Sequence, residues 1–274
     1  MRIEAASAKV GAVVTDLDMT TMNDEEWGRL YQAWLDHLVL IVRDQEFTIP
    51  QFLAVAERFG TLMPHIVRRT RHPEYPGLTQ MGLNTRKPDG QIDKSVFARG
   101  EGWHTDGPWD RRGVCKATQL WALEIPSVGG NTLFANMYES FEALPEALKQ
   151  RLEGVKAEYV YGGRARRGAD LLDPADRDAP PVVWPAIRIH PETGRQSLYI
   201  NPIHFVRFIG MTEAESDALF DELKDRMIQP HAEYHHKWHR HDYVIWDNRC
   251  ANHAAGGGYP VEEKRIHWRA TIME

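Results

Sequence analysis

Only two cysteines, Cys115 and Cys250, occur in 274 residues, and they stand far apart with no C-x-x-C spacing. That scarcity excludes a disulfide framework and a thiolate metal site. Both thiols are expected to be reduced and structural, as in a cytoplasmic protein. Long apolar runs are missing as well. No stretch reaches the roughly 20 residues that span a bilayer. The opening MRIEAASAKVGAVVTDLDM has neither a contiguous apolar segment nor a small-residue cleavage site. A membrane is therefore not an expected partner. A basic surplus is absent too: the net charge is −6, with 33 Lys and Arg interspersed among 39 Asp and Glu. Binding to a phosphate backbone needs a basic face, so nucleic acid is not an expected partner either. No internal repeat is visible.

What is present is a chain 42% hydrophobic, long enough to form one substantial domain over residues 1–274. From Asn23 to His37, Trp27, Leu30, Tyr31, Trp34 and Leu35 recur at helical spacing behind an Asn23–Glu26 pair that fits a capping box. Leu38 to Val42 follows as a buried strand. A second helix opens at Thr48, with Pro50 in its first turn and Gly60 closing it. Strands are expected at Gln119 to Leu123, Thr132 to Ala135, Val182 to Ile189, Ser197 to Ile200 and Tyr243 to Trp246, with helices at Phe141 to Leu152 and Glu213 to Met227. Gly162 to Pro181, rich in Arg, Asp, Gly and Pro, reads as a long loop or lid. Short strands with turn punctuation and flanking helices point to a mainly β fold, a double-sheet jelly roll, rather than alternating β-α units.

In Trp103-His104-Thr105-Asp106 the His and the Asp stand at i and i+2, so on an extended segment both side chains leave the same face and can converge on one ion. A third ligand must come from elsewhere, and His253, beyond Trp246-Asp247-Asn248-Arg249, is the best candidate. Two His and one carboxylate leave open positions on the metal, which suits iron(II) oxygenases. Zinc accepts the same ligands, so a hydrolase stays open. An isolated H-x-D is usually a surface turn, but Arg265 and Arg269 follow His253 in Lys264-Arg265-Ile266-His267-Trp268-Arg269. Four apart on a strand, they face the same side, where their planar forks need anions.

Together these residues resemble the family of 2-oxoglutarate-dependent dioxygenases that contains taurine dioxygenase and 2,4-dichlorophenoxyacetate dioxygenase, the TauD/TfdA family. The resemblance rests on Trp103 to Asp106, Gly129-Gly130-Asn131-Thr132-Leu133, Trp246 to Arg249 with His253 four residues on, and Arg265 to Ile272, all in the family's order. It implies a double-stranded β-helix, the cupin-like form of the jelly roll, with Fe(II) as cofactor and 2-oxoglutarate and O2 as cosubstrates. By the same resemblance His104, Asp106 and His253 are the iron ligands, and Thr132 and Arg265 hold the distal carboxylate of 2-oxoglutarate. Arg269 lies nearer the metal and is expected both to help bind the substrate's anionic group and to contact 2-oxoglutarate at its 1-carboxylate, and His65 matches a substrate-binding position. The reaction implied is decarboxylation of 2-oxoglutarate to succinate and CO2, coupled to hydroxylation of a small organic anion, a carboxylate or sulfonate. The carboxylate at Asp106 favours hydroxylation over halogenation.

Some positions depart from taurine dioxygenase. Gly100 stands where that enzyme has an Asn, and a matching Tyr is missing near Arg68 and Arg69. A larger or more aromatic acid is therefore expected, with Trp109, Tyr161 and His204 on its side of the pocket, and Cys250 resembles the aryloxyalkanoate branch. The histidines at 231, 235, 236, 239 and 241 lack a carboxylate in clear register and are not read as a second metal site. A jelly-roll protein that binds a ligand without catalysis is the competing reading from another class, and a homo-oligomer remains open.

Overall fold

The computed structural model describes residues 1–82 and 102–274. Gly100 lies outside the described residues. The first helix, α1 (Asp24–His37), begins as its sequence dictates: the Asn23 side chain accepts from the Glu26 backbone, and the Glu26 side chain accepts from the Asn23 backbone. α2 (Ile49–Glu57) repeats the device with Thr48 and Gln51. It ends three residues before Gly60.

The strands, in chain order, are β1 (Arg2–Ala5), β2 (Ala12–Thr15), β3 (Val39–Val42), β4 (Thr61–Leu62), β5 (Leu78–Met81), β6 (Cys115–Glu124), β7 (Thr132–Asn136), β8 (Lys156–Tyr159), β9 (Val182–Pro185), β10 (Ile187–Ile189), β11 (Gln196–Leu198), β12 (Phe205–Phe208), β13 (Glu233–His236), β14 (Tyr243–Asp247), β15 (Ala251–Ala255) and β16 (Ile266–Met273). The large sheet runs β1-β2-β3-β14-β6-β16-β4, with β5 also on β16, and is antiparallel except where β2 meets β3. A smaller sheet runs β13-β7-β15. This is the jelly roll expected from the sequence.

Alternation along the central strands decides which side chains reach the space between the sheets. Tyr243 and Ile245 of β14 pack outward with Leu30 and Trp34 of α1 and Phe52 of α2, whereas Val244 and Trp246 pack inward with Phe134 and Ala251 of the smaller sheet. Burying each large side chain of these cores contributes about 1.5–3 kcal/mol. A third cluster joins β8, β11 and β12 to the helix Glu213–Lys224. Both cysteines are free and buried.

Three expected elements differ. The helix expected from Phe141 to Leu152 is two helices, Met137–Glu142 and Glu146–Leu152, parted at Pro145, which lacks the N–H that an unbroken helix would use. The strand from Val182 to Ile189 is split at Ala186 into β9 and β10, which pair in different sheets. The stretch read as a loop from Gly162 to Pro181 contains a 3₁₀ turn, Ala169–Leu171, and a short helix, Pro174–Arg177.

Candidate active site

His253 lies on β15, and His104 pairs with it across an isolated antiparallel bridge. The His104 amide donates to the His253 carbonyl at 2.9 Å and the His253 amide to the His104 carbonyl at 2.7 Å. Residues paired this way project their side chains to one side, and the two imidazole centroids are 4.1 Å apart. His104 Nδ1 is 2.8 Å from the Gly102 carbonyl, which can only accept, so Nδ1 carries the proton and the Nε2 lone pair is bare. Asp106 follows two residues on, with Oδ2 3.8 Å from His253 Nε2. His104, Asp106 and His253 each offer a ligand atom within 4.8 Å of the others.

Their protonation states suit a cation. Burial alone would raise the Asp106 carboxyl, but Arg269, His253, His104 and the Thr118 hydroxyl outweigh it and hold it well below the usual carboxylate range. Burial pushes both His104 and His253 down from the ordinary imidazole value. At neutral pH the set is therefore one carboxylate and two neutral imidazoles, with His253 Nδ1 buried and without a hydrogen-bond partner among the described residues. Such a donor set fits a divalent iron with open coordination positions.

A side chain not assigned a role from sequence holds this segment in place. Asn248 Oδ1 accepts from the Asp106 amide at 3.1 Å and from Trp246 Nε1 at 3.0 Å, while its Nδ2 donates to Thr118 Oγ1 at 3.0 Å. Thr118 in turn donates to Asp106 Oδ2 at 2.6 Å. From the other side, Asn201 Nδ2 donates to the Thr105 carbonyl at 2.5 Å. A second cluster, His190, Asp247 and Cys250, also has metal-capable atoms close together. Arg249 occupies both Asp247 oxygens there, at 2.8 and 2.6 Å, and His190 Nε2 lies 3.0 Å from one of them, which makes a closed ion-pair network.

Arg265 immediately precedes β16, and Arg269 lies on it. Trp268, between them in sequence, turns to the outer core while both arginines line the inner cavity, as strand alternation requires. Arg265 donates from Nε to the Gly130 carbonyl at 2.8 Å and from Nη2 to Thr132 Oγ1 at 3.2 Å. It has no carboxylate partner among the described residues, and burial pushes its guanidinium down to about 10. Gly129 and Gly130 adopt φ of +71° and +69°, a conformation that favours glycine, and a Cβ on Gly130 would sit 2.9 Å from Pro126 Cγ and 3.2 Å from Arg265 Cδ. Arg269 Nη2 is 2.8 Å from Asp106 Oδ1, and its Nε is buried without a partner among the described residues.

His104, Asp106, His253, Thr132, Arg265 and Arg269 border one cavity of about 1380 Å³. His65, Trp109, Tyr161 and His204 line it as well. His65 Nδ1 accepts from the Val67 amide at 3.2 Å, so its remaining proton is on Nε2. Burial and the Arg269 charge push its pKa down to about 3, leaving a neutral N–H donor at physiological pH. Trp109 stands edge-on to Tyr161 with centroids 5.1 Å apart, and His204 lies 5.6 Å from Tyr161 and 6.5 Å from His104. The histidines at 231, 235, 236 and 241 face separate carboxylates of Glu139, Glu233, Asp242 and Glu46.

Residues 2–271 match the family model described as taurine catabolism dioxygenase TauD, TfdA family. The chain is 33% identical to the (S)-phenoxypropionate/alpha-ketoglutarate-dioxygenase of Sphingobium herbicidovorans, over 98% of this chain and 94% of that protein. It is 30% identical to the alpha-ketoglutarate-dependent 2,4-dichlorophenoxyacetate dioxygenase of Cupriavidus pinatubonensis, over 96% and 94% respectively. The crystal structure of AAD-2 in complex with Mn(II) and N-oxalylglycine superposes with a TM-score of 0.82 at 27% identity, covering 99% of this chain and 96% of that one. These matches decide between the readings that the metal-site residues alone left open: the chain belongs to the TauD, TfdA family and is a 2-oxoglutarate-dependent dioxygenase, an Fe(II) enzyme with 2-oxoglutarate and O2 as cosubstrates.

Proposed function

We propose that the chain acts as a single-domain cytoplasmic enzyme that hydroxylates a small organic anion, an aryloxyalkanoate-like carboxylate or a sulfonate, with release of succinate and CO2. His104, Asp106 and His253 hold the iron, which when bound supplies the coupling of O2 reduction to decarboxylation and C–H oxidation. Arg265 and Thr132 neutralise and orient the distal carboxylate of 2-oxoglutarate. Arg269 and the Nε2–H of His65 take the substrate's anionic group, and Trp109, Tyr161 and His204 pack against its body. The protein's contribution is orientation and charge neutralisation away from bulk water.

The observation that carries this reading is Arg265: a buried guanidinium with two neutral acceptors and, among the described residues, no carboxylate, in the same cavity as the His-Asp-His set. A buried charge left in that state calls for an anion. The relatives' named substrates, phenoxypropionate and 2,4-dichlorophenoxyacetate, are aryl acids. The two buried, unpaired cysteines suit a reducing compartment.

The test is a panel of aryloxyacids and sulfonates, scored by succinate release at saturating 2-oxoglutarate, with each active acid compared with its neutral amide. Wild type should favour the acid by at least about tenfold, since a charge-assisted contact is worth roughly 1.5–3 kcal/mol. Arg269→Ala should lose that preference. Equal turnover of amide and acid by wild type overturns anion recognition. Succinate release without substrate, measured in parallel, separates a loss of substrate binding from a loss of 2-oxoglutarate binding.

A further inference from the structure

Among the described residues, the hydrogen bonds at Thr132 leave its hydroxyl proton without an acceptor. Thr132 Oγ1 accepts from Trp238 Nε1 at 3.0 Å and from Arg265 Nη2 at 3.2 Å. Indole and guanidinium N–H groups only donate, so both oxygen lone pairs are engaged. The hydroxyl proton has to point in a third direction. Thr132 is 4% exposed and borders the cavity.

Trp238, in the segment between β13 and β14, is 5% exposed. Its ring is held edge-on by His236, at 4.6 Å and 78°, and by His267, at 4.4 Å and 69°. His236 Nδ1 is 3.2 Å from the Tyr234 hydroxyl, and its Nε2 is 3.2 Å from the Asp242 carboxylate, which Arg43 grips at 2.6 Å. The Arg265 guanidinium carbon lies 5.8 Å from the Trp238 centroid. One indole thus touches both residues assigned to the distal carboxylate, and a member of the histidine-rich stretch props it.

We propose that Trp238 is a positioning residue for 2-oxoglutarate: by occupying an acceptor lone pair of Thr132 it turns that hydroxyl into a fixed donor, aimed with Arg265 at the distal carboxylate. This rests on the assignment of Thr132 and Arg265 to that carboxylate. Without the indole N–H, the Thr132 hydroxyl is free to rotate and spend its proton elsewhere.

The test uses full-length protein loaded with Mn(II) and measures equilibrium binding by calorimetry, with no turnover. The probes are N-oxalylglycine, which carries a distal carboxylate, and oxalate, which does not. Trp238→Phe keeps an aromatic ring and loses the N–H, and benzothienylalanine placed at position 238 also loses the N–H but retains the bicyclic shape. Either should weaken N-oxalylglycine by about tenfold, the scale of one hydrogen bond, and leave oxalate within about twofold. In turnover, the KM for 2-oxoglutarate should rise while kcat at saturation holds. In a Thr132→Val background the Trp238→Phe change should add nothing further, which a merely structural role would not produce. Unchanged N-oxalylglycine binding, an equal loss of both probes, or additive losses in the double variant overturns the role of Trp238. If Arg265→Ala leaves N-oxalylglycine binding unchanged, the assignment beneath it is what fails, and the proposal fails with it.

Discussion

The wall of the cavity that carries His253, Thr132 and Arg269 is made of β-strands, whereas the wall that carries His65, Trp109, Tyr161 and His204 is made of connecting segments. Residues beside the strand wall are tied to it: the His104 backbone to that of His253 through two bonds, Asp106 to Thr118 and Arg269, and Arg265 to Thr132. On the loop wall the contacts are mostly ring edges and bonds to nearby backbone, such as His65 with Val67 and His204 with the Gly162 amide at 3.0 Å. On the proposed roles, the groups that hold the metal and 2-oxoglutarate either sit on strands or are hydrogen-bonded directly to them. The groups proposed to read the substrate sit in connecting segments, where insertions and exchanges are tolerated.

That contrast is broken most severely at Asp106. Asp106→Ala is expected to reduce iron-dependent hydroxylation to background while leaving the fold largely intact, checked by succinate release and a melting curve; near-normal turnover removes Asp106 from the site. Arg265→Ala comes next. Its apparent KM for 2-oxoglutarate should rise by about 30-fold or more, from roughly 2–5 kcal/mol for leaving a buried partner charge unpaired, with far less change in the KM for substrate. An unchanged KM for 2-oxoglutarate assigns its carboxylate to another residue.

On the loop wall the effects should be smaller and selective. Trp109→Ala should change the ratio of kcat/KM between an aryl and a short aliphatic acid by about two- to twelvefold, the range of an aromatic contact of roughly 0.5–1.5 kcal/mol. Succinate formation without substrate should stay as in wild type. A parallel fall in both would show that this wall also supports 2-oxoglutarate, and the contrast between the walls would dissolve. The smallest expected effect concerns pH. Burial pushes His204, like His65, down to about 3 in the folded state, below the ordinary value near 6.5. The unfolded chain therefore binds more protons below about 6.5, so the stability that accompanies the neutral rings is complete above that pH and is lost as pH falls towards about 3. Melting temperature followed from pH 7.5 to pH 5 should fall less steeply for His204→Gln than for wild type; identical slopes would show that His204 is not held neutral by its surroundings.

What the sequence by itself determined is what local chemistry decides. The capping boxes at Asn23 and Thr48 set the starts of α1 and α2, and a two-residue period sorted the side chains of β14 between the inner and outer faces. The same period put His104 with Asp106, and Arg265 with Arg269, on shared faces, and family resemblance supplied their roles. The N-terminal strand β1 and the edge strand β13 escaped the pattern reading, because a partly exposed polar strand of four residues has little apolar alternation to read. Only the tertiary structure decided which distant segments meet. Asn248 reaches the Asp106 amide across 142 positions and Trp238 reaches Thr132 across 106. Both depend on strands that pair far apart in the chain, and that register is set by how whole sheets bury their faces against each other, a property no local window of residues contains.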